Sequence, residues 1–213
     1  VTITTGTNLL RVALADDHAV VRDGIRFALD GLDGVEVVAE AEDASGALAL
    51  LDGPEPPDVL LLDLRLGGTS GLDVLAEAQR RLLPTRILVM SMHDEPAIVR
   101  RALKLGASGY LLKSAGRAEL LRAIDAISEG GRHVQGELAL ALAAEEERGA
   151  TVTKREREVL ALVADGRENR QVAKALGISE ETVKGYLKNI FARWDVSSRA
   201  EAVAMALRLG IID

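Results

Sequence analysis

Five polar residues in the first half of the chain have types that could work together. Asp16, Asp17 and Asp63 offer carboxylates, Lys113 an ammonium and Ser91 a hydroxyl. Three carboxylates brought close repel one another unless a cation joins them. An all-oxygen donor set, with no histidine or cysteine cluster in the sequence, suits Mg2+ rather than zinc. A carboxylate beside Mg2+ can attack a phosphoryl group and form an aspartyl phosphate. Mg2+ and the lysine ammonium would then neutralise the phosphoryl oxygens. A single aspartate at a strand end is ordinarily a helix cap or turn former. That role accounts for Asp16 or Asp63 alone. It does not account for three carboxylates and a lysine at matched positions.

Such a site needs elements that carry distant positions to one edge. Short apolar runs at Val12–Ala15, Val35–Ala41, Val59–Leu62, Ile87–Met90 and Tyr110–Leu112 read as buried strands. Helical spacing lies between them, at Val20, Val21, Ile25 and Leu29, then at Leu72, Leu75, Ala76 and Leu82. It recurs at Ile98, Ala102 and Leu105, and at Leu120, Leu121, Ile124 and Ile127. Five strands alternating with helices predict a doubly wound parallel sheet covered on both faces. Asp16, Asp17, Asp63, Ser91 and Lys113 all fall at or just past the C-terminal ends of these strands. That edge is where sites form in an open parallel sheet, at the crevice where strand order reverses. If the first and third strands are neighbours there, the carboxylates converge. His18 reads as a helix-start residue, His93 and His133 as surface, and Met90 and Met92 as core and loop filler.

Composition narrows the classes. The chain has 213 residues, no cysteine, 48 % hydrophobic and 28 % charged residues. That is enough for one large domain or two small ones, and too apolar for disorder. Disulfide frameworks, thiolate zinc sites and thiol nucleophiles are excluded. No run approaches the ~20 apolar residues of a membrane span. Val1 to Leu10 has neither a basic start nor an apolar segment, so a cytoplasmic protein without membrane contact is expected. The net charge of −7 argues against a nucleic-acid partner, and the 2 % aromatic content argues against single-strand stacking. The charge is uneven, however: −10 up to Glu147 and +3 from Arg148 onward. Two modules with different partners follow. The changeover, Gly130 to Thr153, reads as a linker with a possible helix, its acidic run Glu145–Glu147 solvated. The expected division is residues 10–130, a linker at 131–150, and residues 151–213.

The first module resembles the receiver domain of bacterial two-component response regulators over roughly Leu10 to Gly130. The segments Ala15-Asp16-Asp17-His18-Ala19-Val20-Val21-Arg22-Asp23-Gly24 and Gly106-Ala107-Ser108-Gly109-Tyr110-Leu111-Leu112-Lys113 carry the likeness. It implies a flavodoxin-like fold in which Asp63 accepts phosphate from a sensor histidine kinase. Asp16 and Asp17 would hold Mg2+, helped by Asp63 and the backbone carbonyl of Arg65. Lys113 would pair with the phosphoryl group, Ser91 would turn toward it, and Tyr110 would change rotamer as the switch. Leu66-Gly67, followed by Gly68, stands where the family usually has Met-Pro. Glycine in place of proline frees the loop after the acceptor.

The second module reads as four helices. Lys154–Ala164 stops at Asp165-Gly166, and Arg170–Leu176 stops at Gly177. Ser179 is a good N-cap for a third helix, with Glu180 and Glu181 in its first turn. That helix presents Val183, Leu187 and Ile190 inward, and Lys184, Lys188 and Arg193 on its other face. Arg199–Leu209 makes a fourth, with Ala202, Val203, Ala206 and Leu207 apolar. Two helices around a tight glycine turn, the second with a basic face, describe a helix-turn-helix. Thr153-Lys154-Arg155-Glu156-Arg157-Glu158-Val159-Leu160, Asn169-Arg170-Gln171-Val172-Ala173 and Leu176-Gly177-Ile178-Ser179-Glu180-Glu181-Thr182-Val183-Lys184 resemble a LuxR-type DNA-binding domain. With the receiver, the chain is similar to the NarL/FixJ class. The resemblance implies a recognition helix containing Thr182–Ala192, with Lys184, Gly185 and Lys188 facing double-stranded DNA. Ser179 and Thr182 would contact phosphates, and the fourth helix would pair subunits. Gly185 costs about 1 kcal/mol inside a helix relative to alanine, and close approach to DNA is one reason to keep it. Phe191 and Trp194 read as packing residues.

The expectation is a regulator rather than an enzyme: a transcription factor phosphorylated on Asp63 that pairs into a homodimer. Two alternatives stand beside it. One is a protein-binding regulator independent of phosphorylation. The other is an Mg2+-dependent phosphatase, whose usual second aspartate two residues on is Arg65 here.

Overall fold

The computed structural model describes residues 9–150 and 152–213, with side chains described through Glu145 and again from Val152. The expectations about residues 1–8, and about the side chains of Glu146 and Glu147, lie outside the described residues. The chain divides into two compact units, one reaching Ala139 and one running from Leu140 to Asp213. Among the described residues no helix is long and apolar enough to cross a membrane.

The first unit runs β1 (Leu10–Ala15), α1 (Ala19–Leu29), β2 (Val35–Ala41), α2 (Ala44–Leu51), β3 (Val59–Asp63), β4 (Arg65–Leu66), β5 (Thr69–Ser70), α3 (Gly71–Arg81), β6 (Arg86–Ser91), α4 (Pro96–Lys104), β7 (Gly109–Leu112), α5 (Arg117–Ser128) and β8 (His133–Val134). The main sheet has the order β2-β1-β3-β6-β7-β8, and every pairing is parallel. All five expected strands are present, and β8 adds a short sixth at the edge. Chain order reverses between β1 and β3, so the C-terminal ends of these two strands flank the switch point. Val59, Leu60, Leu61 and Leu62 are each at most 2 % exposed, because helices cover both faces of the sheet. One core cluster joins Val12, Leu14, Val59, Leu61 and Leu88 to Ile25 and Leu29 of α1 and to Leu120, Ile124 and Ile127 of α5.

Several local readings change. Val20 is 84 % exposed although it lies in α1. The inward face is Arg22, Ile25 and Leu29, and five residues of helix separate Val20 from Ile25, about 140° off that face. Leu82 is the C-cap of α3 at φ 54° and is also exposed, so it is not part of the helix's apolar stripe. Helix α2 is absent from the periodicity reading because its Ala/Leu sequence has no polar face to mark a period. Asp43 starts it by accepting a hydrogen bond from Gly46 N at 2.7 Å. His133 is half-buried rather than at the surface, with Nε2 2.8 Å from Glu119 Oε1. The span expected to be a linker contains a helix, α6 (Gly136–Ala150), in which Glu145 is buried rather than solvated.

The second unit carries α7 (Lys154–Ala164), α8 (Asn169–Leu176), α9 (Glu180–Trp194) and α10 (Arg199–Arg208). Thr153 and Glu156 form a reciprocal capping box at the start of α7. Gly177 ends α8 at φ 65°, a left-handed conformation that suits glycine, and Ser179 caps α9. Val159, Val163, Val172, Ala173, Val183 and Leu187 pack α7, α8 and α9 together. Leu160, Ile190, Trp194, Ala202 and Ala206 bring in α10, with Phe191 against them, so both aromatics pack helices. Leu207 is half-exposed, on the outer side of α10.

Candidate functional site

The reversal of strand order brings the acidic residues together. Asp16 follows β1, Asp63 ends β3, Ser91 ends β6 and Lys113 follows β7. Asp16 and Asp63 are 3 % and 4 % exposed, and Ser91 is fully buried. The Lys113 ammonium lies 2.6 Å from Asp16 Oδ2 and 2.6 Å from Asp63 Oδ2. Burial alone would lower the Lys113 pKa, but its hydrogen bonds to Asp16 and Asp63 outweigh burial and hold it raised. The lysine thus supplies part of the positive charge that the carboxylates require.

Asp17 is more open. Its Oδ2 accepts from Gly67 N at 3.1 Å, and its Oδ1 lies 2.6 Å from His18 Nδ1. A burial penalty on Asp17 is outweighed by the Gly67 N–H and by His18, so its carboxyl titrates below its ordinary value. One ligand atom from each of Asp16, Asp17, His18 and Asp63 falls within a set spanning 4.8 Å. Three carboxylates at that spacing fit a hard divalent cation. His18 is the N-cap of α1, as expected, but its ring also joins the cluster. Arg65 opens β4 and lines a cleft with Asp17, Leu64, Gly68, Thr69 and Ser70.

Three supports escaped sequence reasoning. Arg22 is 7 % exposed beneath the cluster. Its Nη1 donates to the Asp16 carbonyl at 2.6 Å, its Nε to Glu40 Oε2 at 2.9 Å, and its Nη2 to Glu42. The loop that carries both first carboxylates is therefore tied to β2. Gly67 and Gly68 have φ of 55° and 92°, as a two-residue hairpin turn between β4 and β5 requires. The expected freedom of this loop is instead used to close a hairpin, whose tip is bonded to Asp17. At Gly71 an added Cβ would sit 2.2 Å from the Asp63 carbonyl oxygen, so α3 begins hard against the end of β3.

Ser91 Oγ accepts from His93 N at 3.1 Å. Tyr110 is fully buried and its hydroxyl donates to the His93 carbonyl at 2.9 Å. Burial pushes the Tyr110 hydroxyl up to about 12, with the Ser91 hydrogen bond partly opposing it. Tyr110 is therefore a neutral donor throughout the working pH range.

In the second unit, α8, the turn at Gly177-Ile178-Ser179, and α9 form the helix-turn-helix. Ser179 Oγ accepts from Thr182 N at 3.0 Å and lies 2.7 Å from Thr182 Oγ1. Ser179, Thr182, Lys184, Gly185 and Lys188 are all exposed; Lys184 and Lys188, four residues apart, share one face of α9 with Gly185 beside them, while Ser179 and Thr182 lie at its N-terminal end. Lys184 Nζ lies 3.5 Å from Glu181 and 4.0 Å from Glu180, exposed pairs that hold it weakly. Arg193 does not share the lysine face. It lies nine residues past Lys184, half a turn round the helix, and both Nη atoms donate to the buried Glu156 carboxylate at 3.2 and 2.8 Å.

Comparison with known proteins agrees with both halves. Residues 12–125 match the response regulator receiver domain, and residues 150–206 match the bacterial regulatory proteins of the luxR family. The chain is 41 % identical over 209 residues to the probable transcriptional regulatory protein NarL of Mycobacterium tuberculosis, covering 96 % of each chain. Among solved structures it is similar to the RcsB response regulator of Salmonella typhimurium, with 27 % identity and a TM-score of 0.68 over 93 % of this chain and 98 % of that one. An RcsB–DNA complex matches at 27 % identity and a TM-score of 0.65 over 94 % of this chain and 99 % of that one. The chain belongs to the NarL/LuxR-type response regulators, DNA-binding transcriptional regulators that join a receiver domain to a LuxR-type helix-turn-helix domain.

Proposed function

We propose that this regulator is switched by phosphorylation of Asp63, with a sensor histidine kinase as donor. The observation that carries the reading is the Lys113 ammonium held between Asp16 and Asp63 at the switch point of the sheet. Residues 10–130 form the receiver, 131–150 the linker and 151–213 the output domain. Asp16, Asp17, Asp63 and the carbonyl of Arg65 would hold Mg2+, which supplies charge neutralisation for an incoming phosphoryl group. Asp63 attacks phosphorus through a carboxylate oxygen, and the donor histidine leaves with the electron pair of the broken P–N bond. Lys113 moves its hydrogen bonds from the carboxylates to the phosphoryl oxygens. Ser91 turns its hydroxyl toward the same oxygens, and Tyr110 follows by changing rotamer.

The phosphorylated state favours a homodimer, in which α10 pairs two output domains on paired half-sites of double-stranded DNA. Lys184, Gly185 and Lys188 face the major groove, while Ser179 and Thr182 reach phosphates. The RcsB–DNA complex supports this use of the domain. Incubation with a small phosphodonor and Mg2+ tests the switch. Label should appear on the wild type and be absent from Asp63→Ala. Label that persists on Asp63→Ala overturns the acceptor assignment.

A further inference from the structure

The outermost strand of the receiver sheet comes from the span expected to be linker. Three residues, His133 to Gln135, occupy the free edge of β7. His133 N donates to the Ser108 carbonyl at 3.2 Å, and Gln135 N to the Tyr110 carbonyl at 3.1 Å. The ladder then ends, but its next bond is still made. Leu112 N donates to the side-chain Oε1 of Gln135 at 2.9 Å, in place of a main-chain carbonyl. Gln135 therefore grips β7 at two points, one at Tyr110 and one at the residue just before Lys113.

Two further features show that this seat is built. An added Cβ at Gly109 would lie 2.6 Å from the His133 carbonyl oxygen and 2.7 Å from Leu88 Cδ1. Gly109 has no positive φ, so close approach of β8 is what requires glycine there. The His133 ring is also 2.8 Å from Glu119 of α5, a second anchor for the same segment.

We infer that Gln135 is a positioning residue for the phosphoryl site, coupling that site to the attachment of the linker. By holding the Tyr110 carbonyl and the Leu112 N–H, it fixes the end of β7 from which Lys113 and Tyr110 reach Asp63. Coupling of this kind is reciprocal: a change at Lys113 and Tyr110 alters how firmly 133–135 stay on the sheet. The inference rests on the phosphoryl reading of the site above.

The test uses the full chain. Gln135→Leu removes the acceptor, while Gln135→Glu at pH 8 retains one. Labelling of Asp63 by a small phosphodonor should slow about three- to tenfold in Gln135→Leu, the effect of losing one hydrogen bond. The half-saturating Mg2+ concentration should not move, because no carboxylate is touched, and Gln135→Glu should recover the wild-type rate. A merely structural edge strand would not give that rescue or leave Mg2+ affinity unchanged. Second, beryllium fluoride, a mimic of the aspartyl phosphate, should change amide hydrogen exchange at Leu112 and 133–135 at least threefold in the wild type and not in Asp63→Ala. Equal labelling rates for Gln135→Leu and wild type, or unchanged exchange, overturn the inference alone. A wild type that takes no label overturns the phosphoryl reading and this inference with it. If Gln135→Leu does not fold, the exchange measurement on the wild type decides.

Discussion

Replacing Lys113 by methionine measures how far the acidic cluster depends on one ammonium. Methionine keeps an unbranched apolar stem and removes the charge and its donors. In the structure that ammonium contacts two carboxylates at 2.6 Å each, with only 4 % of either aspartate side chain exposed. Deleting one partner of a buried ion pair costs about 3–5 kcal/mol. The lysine side chain is 11 % exposed and Asp17 beside it is open, so water reaches part of the cluster. We therefore take the lower end, a loss of about 3 kcal/mol. Against a total stability of about 5–15 kcal/mol this is large. For a unit of this size it lowers the melting temperature by roughly 10 °C. Scanning calorimetry of the full chain gives the number, because the two units can melt separately. Adding Asp63→Asn to Lys113→Met removes one of the buried charges left without a partner and should recover at least about 1 kcal/mol. Mg2+, held as proposed above, would supply the same compensation from outside, worth about 2.7 kcal/mol at a hundredfold excess over its dissociation constant. It should therefore stabilise Lys113→Met more than the wild type, where the ammonium competes for Asp16. Melting within 2 °C of wild type without metal (roughly 0.5 kcal/mol) refutes the reasoning. So does an equal Mg2+ effect on both proteins.

Three further outcomes are expected. Lys184→Ala with Lys188→Ala should lower the slope of log affinity against log salt by about 2 on DNA bearing the regulator's site, since each lysine releases about 0.9 of a counterion. An unchanged slope places the contact face elsewhere. Gly185→Ala should stabilise the output unit by about 1 kcal/mol while weakening DNA binding. Apart from its chain neighbours and its own helix backbone, nothing among the described residues lies within 4 Å of a Cβ there, so packing offers no reason for the glycine, and a stabilised variant with undiminished affinity removes the DNA reason as well. Glu156 gives a pH signature. Burial would raise its carboxyl pKa, but Arg193 and Thr153 outweigh burial and hold it below the usual value. The folded state then holds the proton less tightly than the unfolded one. The carboxylate's contribution is present above the unfolded value of about 4.3 and is lost as pH falls through the folded one. Urea denaturation from pH 7 to 3 should show a steeper acid loss for wild type than for Glu156→Gln; parallel profiles would show that the pairing adds nothing.

The site was legible wherever chemistry coincided with a strand end. Asp16, Asp63, Ser91 and Lys113 each follow or end an apolar run, and period and run length locate such ends directly. The supports were not legible, because they depend on which strand lies beside which. Arg22 reads as one more arginine in an amphipathic helix until β2 is placed next to β1 and brings Glu40 and Glu42 within reach. His133 and Gln135 lie beyond the last helix of the receiver, in a stretch too short and polar to announce a strand. Their partners on β7 exist only once β7 is known to have a free edge.

Charge shows the same limit from the other side. The sum of −7 concealed an acidic half and a basic half, and residue counting alone separated them. Counting could not say which basic residues are available. Arg193 belongs to the basic half, yet its guanidinium is bonded to Glu156 and secures α9 to α7. Lys184 and Lys188 remain exposed on the lysine face. In the acidic half Arg22 and Lys113 are both bound to carboxylates or to the loop that bears them. Net charge measures long-range attraction for a partner, but the contact surface is set by the charges that folding leaves unpaired. On the proposed function the output unit would meet DNA through Lys188, Gly185 and Lys184, the last held only weakly by Glu180 and Glu181. In the receiver, three of the carboxylates converge where, on the proposed function, a cation and a phosphoryl group would use them.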